Sequence, residues 1–397
     1  MLSKELNQRV SCTGAGTPGG ELMRRYWQPI ALSKEVAPSG KPRQLKIMGE
    51  DLVLFRDEAG TPGLLGLHCS HRLTSLAYGR VEDGGIRCPF HGWLYDASGH
   101  CLEQPAEPEG STFKERIRHP AYPCEELGGL IFTYMGPSEK RPLLPRYELL
   151  VREDGARQVS FYPINSNYLQ NVEGAVDAVH FPFLHTDNWS KKKQALFAMP
   201  RPHILLEETD WGVRQMIRHG NPMVGDFTEH YAHFFMPAGF MRISPRGRPL
   251  KYQSWYVPVD DTHCLRFQCG FAPHADGFPP YEWPDEDDFL QPGPWNDYFR
   301  DYDNVDTISG IPGQAAPGTA VKGFLCQDSM VNESQGPIVD RTLEHLGMQD
   351  RPMSSMRTVI LRAIEDVEAG RDPKHILRDP AANHMVRVAG NAAPECA

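Results

Sequence analysis

Two short stretches of this chain each place one cysteine and one histidine close together: Cys69-Ser70-His71 and, sixteen residues on, Cys88-Pro89-Phe90-His91. Two adjacent hairpin loops with one thiol and one imidazole apiece can converge on one metal centre. A structural zinc site uses the same four side chains, but zinc-finger spacing groups cysteine with cysteine and histidine with histidine. The mixed pairing suits a [2Fe–2S] cluster in which two thiolates hold one iron and two imidazoles hold the other. Replacing anionic thiolates by neutral imidazoles makes the cluster less negative and raises its potential, so that a flavin or ferredoxin donor can reduce it. His68 breaks the paired spacing and is read as a non-ligand. Gly92 and Trp93 fit a tight loop packed on an aromatic ring.

The second constellation is Glu173-Gly-Ala-Val-Asp177-Ala-Val-His180-Phe-Pro-Phe-Leu-His185. A helix over 165–185 would put Asp177 and His180 on one face, and Pro182 would disturb it and let His185 swing to the same point. Two neutral imidazoles and one carboxylate make the facial triad of a non-haem Fe(II) site, with positions left open for O2. The bland alternative is two core histidines near a helix end.

These residues must be positioned by a chain of 397 residues, long enough for two or three domains. Hydrophobic residues at 40% and charged residues at 23% allow a sizeable buried core. The net charge of −10 argues against a nucleic-acid partner, which calls for a basic face. No apolar run approaches the roughly 20 residues that cross a bilayer. Arg24-Arg25 is followed by Tyr-Trp-Gln-Pro and not by an export segment, so a cytoplasmic location is expected. Gly14-x-Gly16-x-x-Gly19 mimics a dinucleotide fingerprint, but no apolar strand precedes it and Pro18 interrupts it.

Residues 1–27 read as a short helical segment, broken around Gly14–Gly20, and 28–136 as a small β domain of short runs such as Leu52–Phe55 and Leu130–Tyr134, with turns at Asp83-Gly84-Gly85 and Ser98-Gly99. A Pro-rich linker (137–160) precedes a second domain (161–370) with long strand-like runs at Ile204–Arg218, His230–Ser244 and Lys251–Ala272. Tyr281–Asn304 reads as a surface excursion, and Pro337–Leu346 and Met356–Ala369 as helices. The tail (371–397) turns small and polar from about Ala381 and reads as disordered.

The run Cys69-x-His71…Cys88-Pro89-x-His91-Gly92-Trp93, with Ser75–Gly79 and Cys101–Pro105 around it, resembles the Rieske motif of aromatic-ring-hydroxylating oxygenases. Ser70 stands where that family commonly has Pro, and Leu73-Thr74 where Gly-Ala is commoner. The second constellation resembles the family pattern Glu-x3-Asp-x2-His-x4-His. The resemblance implies that His180 and His185 ligate a mononuclear Fe(II), and that Asp177 orients an imidazole and connects across a subunit boundary to a Rieske histidine. It places the third iron ligand at Asp328, in the segment typical of the phthalate-dioxygenase-like branch; Glu333 and Asp340 are the competitors, and Asp340 beside Arg341 reads as a charged helix surface.

Covering roughly residues 20–370, the resemblance implies an α+β chain: a Rieske β domain at 28–136, and at 161–370 a catalytic domain whose antiparallel sheet is flanked by helices in a helix-grip-like arrangement. It implies an oxygenase that hydroxylates or O-demethylates an aromatic compound, an aromatic carboxylate or aryl ether, with O2 and electrons from NADH or NADPH through a separate flavin and iron–sulfur reductase. It also implies a homotrimer, each Rieske centre serving the iron of its neighbour. A Rieske-type electron carrier without oxygenase activity is the alternative, and a zinc-stabilised binding protein a second. Of the remaining histidines, His263 reads as a solvated turn residue, and His230 and His233, three apart in a strand, as pointing to opposite faces. Phe235, Met236, Phe240, Met241 and Trp255 read as core with a pocket role as the alternative. Arg214, Arg218, Arg242 and Arg266 are the candidates to meet a substrate carboxylate.

Overall fold

A computed structural model describes residues 2–180, 184, 202–221, 226–243, 251–273 and 320–388. The chain opens with two capped helices. Ser3 accepts from the Leu6 N–H to start α1 (Lys4–Ser11), and Thr17 accepts from the Gly20 N–H to start α2 (Pro18–Met23), with Pro18 in its first turn. The glycine-rich stretch is thus half turn and half helix.

Eleven short strands follow. They are β1 (Trp27–Leu32), β2 (Arg43–Ile47), β3 (Glu50–Arg56), β4 (Pro62–Gly66), β5 (Arg80–Glu82), β6 (Gly85–Arg87), β7 (Leu94–Tyr95), β8 (Cys101–Glu103), β9 (Ala121–Tyr122), β10 (Cys124–Leu127) and β11 (Leu130–Tyr134). They pair antiparallel into three sheets, ordered β1-β11-β10, β2-β3-β4-β9 and β5-β6-β7-β8. The Asp83-Gly84 turn has positive φ at both residues (52° and 75°), the twist that a two-residue hairpin requires.

A short helix, α3 (Glu148–Val151), leads into β12 (Gly155–Ile164) and then α4 (Tyr168–Val176), capped by Asn167. The remaining strands are β13 (His203–Glu208), β14 (Gly212–Asn221), β15 (Asp226–Phe235), β16 (Gly239–Ile243), β17 (Lys251–Pro258) and β18 (Cys264–Pro273). They form an antiparallel meander whose last strand is joined by β12, giving the order β12-β18-β17-β16-β15-β14-β13. Helices α5 (Ala320–Ser334) and α6 (Arg351–Glu368) complete the described elements. The architecture is the expected one, a β domain followed by an antiparallel sheet with flanking helices.

Several boundaries differ from the sequence reading. Each long strand-like run is a hairpin: two turn unexpectedly, at Thr209–Trp211 and at Met236–Ala238, and the third turns at Val259–His263, in line with the reading of His263 as a turn residue. Residues 337–346 are not helical; they run as turns because Arg341 is drawn fully inside rather than lying on a charged surface. Within the tail, residues 381–388 pack against the body of the protein: Val386 exchanges backbone hydrogen bonds with Arg146 and Glu148, and Val386 and Val388 are buried. Tyr281–Asn304 lies outside the described residues.

Register assigns the two faces of the large sheet. Gln215, whose side-chain amide donates to the Val176 carbonyl of α4, is level with Ala232, Arg242 and Tyr252. That face lies toward α4. The opposite face carries Phe235, Met241, Trp255 and Phe267. Trp255 meets Phe132 of β11 and Tyr147 with ring centroids 5.9 and 5.5 Å apart. One core therefore runs from β1 and β11 into the catalytic sheet, and a smaller one, containing Phe55, Leu65, Trp93 and Tyr95, lies beneath Cys69 and Cys88. The β2–β3 turn also donates two backbone hydrogen bonds to the β17–β18 turn, Met48 N–H to Pro258 and Gly49 N–H to Val259, each 2.8 Å.

Candidate iron–sulfur and iron sites

The four Rieske candidates sit on two loops with the same closure. In the first, the Cys69 N–H donates to Thr74 O (2.9 Å) and the Leu73 N–H to Cys69 O (2.9 Å). In the second, the Cys88 N–H donates to Trp93 O (2.8 Å) and the Gly92 N–H to Cys88 O (3.1 Å). The fourth residue after each cysteine takes positive φ, 60° at Leu73 and 74° at Gly92. A Cβ at Gly92 would also press on Pro105 at 3.0 Å.

The loops bring the two cysteines together in the interior and leave the histidines outward. Cys69 and Cys88 are buried, His71 exposed and His91 half-buried. Burial pushes the Cys88 thiol up, and the neighbouring Cys69 pushes it further, so two thiolates here need a compensating cation. His71 and His91 lie with ring centroids 4.5 Å apart, and Trp93 stacks on His71 at 4.5 Å. Desolvation, then the charges of His71 and Arg72, lower the His91 pKa and favour the neutral, ligating imidazole. Thiols inside and imidazoles outside suit two irons side by side, so the residues fit a [2Fe–2S] cluster.

Three supports were not read from the sequence. Tyr95 places its hydroxyl 3.2 Å from Cys69 Sγ. His119, buried, donates from Nε2 to the Gly66 carbonyl (2.7 Å), which leaves Nδ1 to accept from the Ser70 hydroxyl (2.8 Å). Its ring lies 4.6 Å from that of Tyr95. Arg87 donates to the Gly92 carbonyl (2.9 Å) and to Glu82, Asp83 and Glu103. Tyr95 follows Trp93 at the two-residue spacing of a strand face, the one signal that marked it as inward.

The second constellation is built around the C-terminus of α4. The helix ends at Val176, short of the expected shared face, because Asp177 turns extended (ψ 123°) and its carboxylate accepts from the Val179 N–H at 2.7 Å. His180 is nevertheless brought between two carboxylates. Its Nδ1 lies 3.6 Å from Asp177 Oδ2, and its Nε2 lies 3.6 Å from Asp328 Oδ1 on α5. Asp177 is thus placed behind the ring and Asp328 in front, the arrangement in which one nitrogen is oriented while the other faces an ion. This donor set fits a mononuclear Fe(II). His185 lies outside the described residues. Glu333 instead takes the Asn165 N–H at 3.0 Å, and Asp340 caps its own turn at Thr342; neither is drawn to His180.

α4 is anchored by a buried ionic network. Glu173 receives Arg341 (Nη2, 2.8 Å) and Arg357 (Nε, 2.6 Å), and Arg341 also reaches Asn7 and Ser11 of α1. Burial alone would push the Glu173 carboxyl up, but the two guanidinium groups outweigh it and hold it below the usual range. The other candidates sort by face. His233 bonds to Thr209 on the sheet face away from α4, opposite to His230, and His263 is an exposed turn residue bonded to Asp260. Phe235, Met241 and Trp255 are core on the far face, Met236 is buried, and Phe240 is on the α4 side. Arg214 and Arg218 pair with Glu207 and Glu229. Arg242 lies near Asp328; burial draws its guanidinium down to about 10, and Asp328 and Tyr252 oppose that. No described helix is long and apolar enough to cross a membrane.

Comparison with known proteins gives the family of the chain. Residues 26–122 match the Rieske [2Fe-2S] domain family. The 5,5'-dehydrodivanillate O-demethylase oxygenase subunit of Sphingobium sp. SYK-6 is 35% identical over 97% of this chain and 86% of its own. The phenoxybenzoate dioxygenase subunit alpha of Ectopseudomonas oleovorans is 35% identical over 96% and 90%. In fold, Pseudomonas putida CBB5 NdmB superposes with a TM-score of 0.65 at 21% identity, covering 90% of this chain and 96% of its own. The chain belongs to the Rieske non-haem iron oxygenases, as a catalytic subunit of the phthalate-dioxygenase-like and aryl O-demethylase branch.

Proposed function

We propose that this chain is the terminal oxygenase of a multi-protein system that hydroxylates or O-demethylates an aromatic carboxylate or aryl ether. Electrons would come from NAD(P)H through a separate flavin and iron–sulfur reductase in the cytoplasm. The observation that carries this reading is His180 held between Asp177 and Asp328. An electron carrier needs the cluster alone and has no use for a second donor set of this kind.

Cys69, Cys88, His71 and His91 would hold the [2Fe–2S] cluster within 28–136, and His180, His185 and Asp328 the mononuclear iron within 161–370. Bound there, the cluster supplies electrons and the iron activates O2. Asp177, 3.6 Å from Nδ1, would orient the His180 ring so that Nε2 faces the iron. Asp328 contributes the negative charge that retains a divalent ion against water.

A homotrimer is proposed on the surface around the outward histidines. Leu73 is 72% exposed, Tyr78 79% and Phe90 54%, with Arg72 lying over the Phe90 ring. An exposed apolar rim around exposed cluster ligands suits docking of a second copy, whose Asp177 would receive a hydrogen bond from a Rieske histidine. Leu73→Asp should lower the mass seen by light scattering from trimer toward monomer, and an unchanged mass would remove this surface from the interface.

The decisive assay combines iron-loaded protein, a surrogate reductase, NADH and 18O2 with methoxybenzoates, phthalates and phenoxybenzoates. Formaldehyde with a free phenol means O-demethylation, and a product with two labelled oxygens means ring dihydroxylation. Asp328→Ala should abolish either product and the mononuclear iron while the visible spectrum of the cluster persists. Cluster reduction with no labelled product from any substrate would return the electron-carrier reading.

A further inference from the structure

The sheet face beneath Asp328 is polar, which core packing does not explain. Moving across it by register, Tyr256 is level with Arg266, and Ser254 with Gln268, one step along the same two strands. Tyr256, Ser254 and Gln268 are each under 5% exposed. Asp328 acts electrostatically on both Arg242 and Tyr256, so it stands over the patch that these residues border.

Two groups in this patch have unused hydrogen-bonding capacity. The Arg266 guanidinium lies 5.5 Å over the Tyr256 ring, and its Nε is buried with no hydrogen-bond partner. Among the described residues the other arginines of this sheet, Arg157, Arg214, Arg218 and Arg242, all have partners. Gln268 Oε1 is likewise buried and accepts no hydrogen bond. A buried donor or acceptor left unmade costs about 1–3 kcal/mol and more when charged, so such groups persist where something else satisfies them. Arg266 and Gln268 are two apart on one strand face, roughly 7 Å along the strand, about the reach of one substituted benzene ring.

We propose that Arg266 and Gln268 read the polar end of the substrate, Arg266 binding a carboxylate and Gln268 Oε1 accepting from a ring hydroxyl. The substrate class this selects is a phenolic aromatic carboxylate. The planar guanidinium offers a fixed fork that matches a carboxylate in two contacts, and stacking on Tyr256 already orients it. Gln268, beside it, offers its unused Oε1 as the acceptor for the ring hydroxyl. This assignment rests on the proposed oxygenase reading, in that the patch lies under the residue taken as an iron ligand.

The test is binding rather than turnover. Calorimetric titration compares 4-hydroxy-3-methoxybenzoate, the corresponding benzamide and 3,4-dimethoxybenzoate on the iron-loaded wild type, Arg266→Met, Arg266→Lys and Gln268→Leu. The wild type should prefer the hydroxy acid over its amide by about 10- to 100-fold, the worth of a hydrogen bond to a charged group. Arg266→Met should erase that preference by weakening the acid alone, and Arg266→Lys should restore part of it. Gln268→Leu should weaken the hydroxy acid up to about 10-fold and leave the dimethoxy acid unchanged.

Equal loss for acid and amide in Arg266→Met, unchanged affinity for the acid, or no acid binding by the wild type would each overturn the proposal. If Arg266→Met fails to fold, as judged by cluster absorbance and melting temperature, the acid-to-amide ratio in Arg266→Lys decides on the same terms. The two readings fail separately. Arg266-dependent binding without labelled product sinks the oxygenase and keeps the subsite, whereas labelled product with Arg266-independent binding does the reverse.

Discussion

Four residues after its cysteine, the first ligand loop carries Leu73 at φ 60°, and the second carries Gly92 at φ 74°. Both loops close with the same pair of backbone hydrogen bonds, so the backbone demands a left-handed residue at both places. Glycine meets that demand without strain, and leucine pays about 1 kcal/mol for it. The braces differ as well. The second loop is held by the Arg87 guanidinium and three carboxylates, the first by neutral hydrogen bonds through Ser70, His119 and Tyr95. One loop is fixed by charge at the protein rim, the other by uncharged groups that lead back into the core. That leucine is also exposed, and it is the residue on which the proposed contact between copies rests.

The largest effect is expected from removing the charged brace. Arg87→Met should destabilise the second loop by about 2–3 kcal/mol, discounted because its acidic partners are half in water. Urea titration followed by cluster absorbance should show loss of the cluster at lower denaturant, and an unchanged midpoint would mean that the Gly92 contact is idle. Next comes Tyr95→Phe. Burial and Cys69 keep the Tyr95 hydroxyl protonated, so it donates to the sulfur and favours the reduced, more negative cluster. Losing a hydrogen bond worth about 1–1.4 kcal/mol should lower the potential by at most roughly 40–60 mV, the limit in which the bond counts only in the reduced state; voltammetry measures it, and a rise would show that Tyr95 does not donate to that sulfur.

Ser70→Ala should cost about 1 kcal/mol, because it leaves the buried His119 Nδ1 without its donor. Ser70→Thr should recover most of that loss, and equal melting temperatures for the wild type and Ser70→Ala would show that the neutral brace is slack. Smallest and of opposite sign, Leu73→Gly should relieve the backbone and stabilise the isolated chain by about 0.5–1 kcal/mol. It should also weaken self-association, read by melting at low and high protein concentration. Stabilisation without weaker association would leave the leucine unexplained.

Legibility in the sequence followed distance along the chain. The ligand loops span fewer than thirty residues, and their spacing alone separated a two-iron cluster from a zinc finger. Asp328 is far from His180 in sequence and was reached only by family resemblance. Arg341 looked like surface because its reasons for burial, Glu173 and Asn7, lie in two distant segments. The end of α4 was overrun for a local reason, the capture of the Val179 N–H by Asp177, which helix periodicity does not register. Long apolar runs were merged into single strands because hairpin turns such as Thr209–Trp211 lack a Gly-Asn or Pro-Gly signal inside them.

The backbone bonds from Met48 and Gly49 to the β17–β18 turn bear on how this chain can be recombined. Exchanging residues 26–122 for those of a relative looks like a clean swap of an electron-transfer module. It would also import a foreign β2–β3 turn to face a resident β17–β18 turn, and would part β1 from the resident β11, whose Phe132 meets Trp255. Those hydrogen bonds use main-chain atoms and so tolerate many side chains, but not a change in turn length. Chimeras that conserve both turn lengths and carry β1 and β11 together should assemble, whereas crossovers that split this seam should yield protein with a cluster but a loosened catalytic sheet.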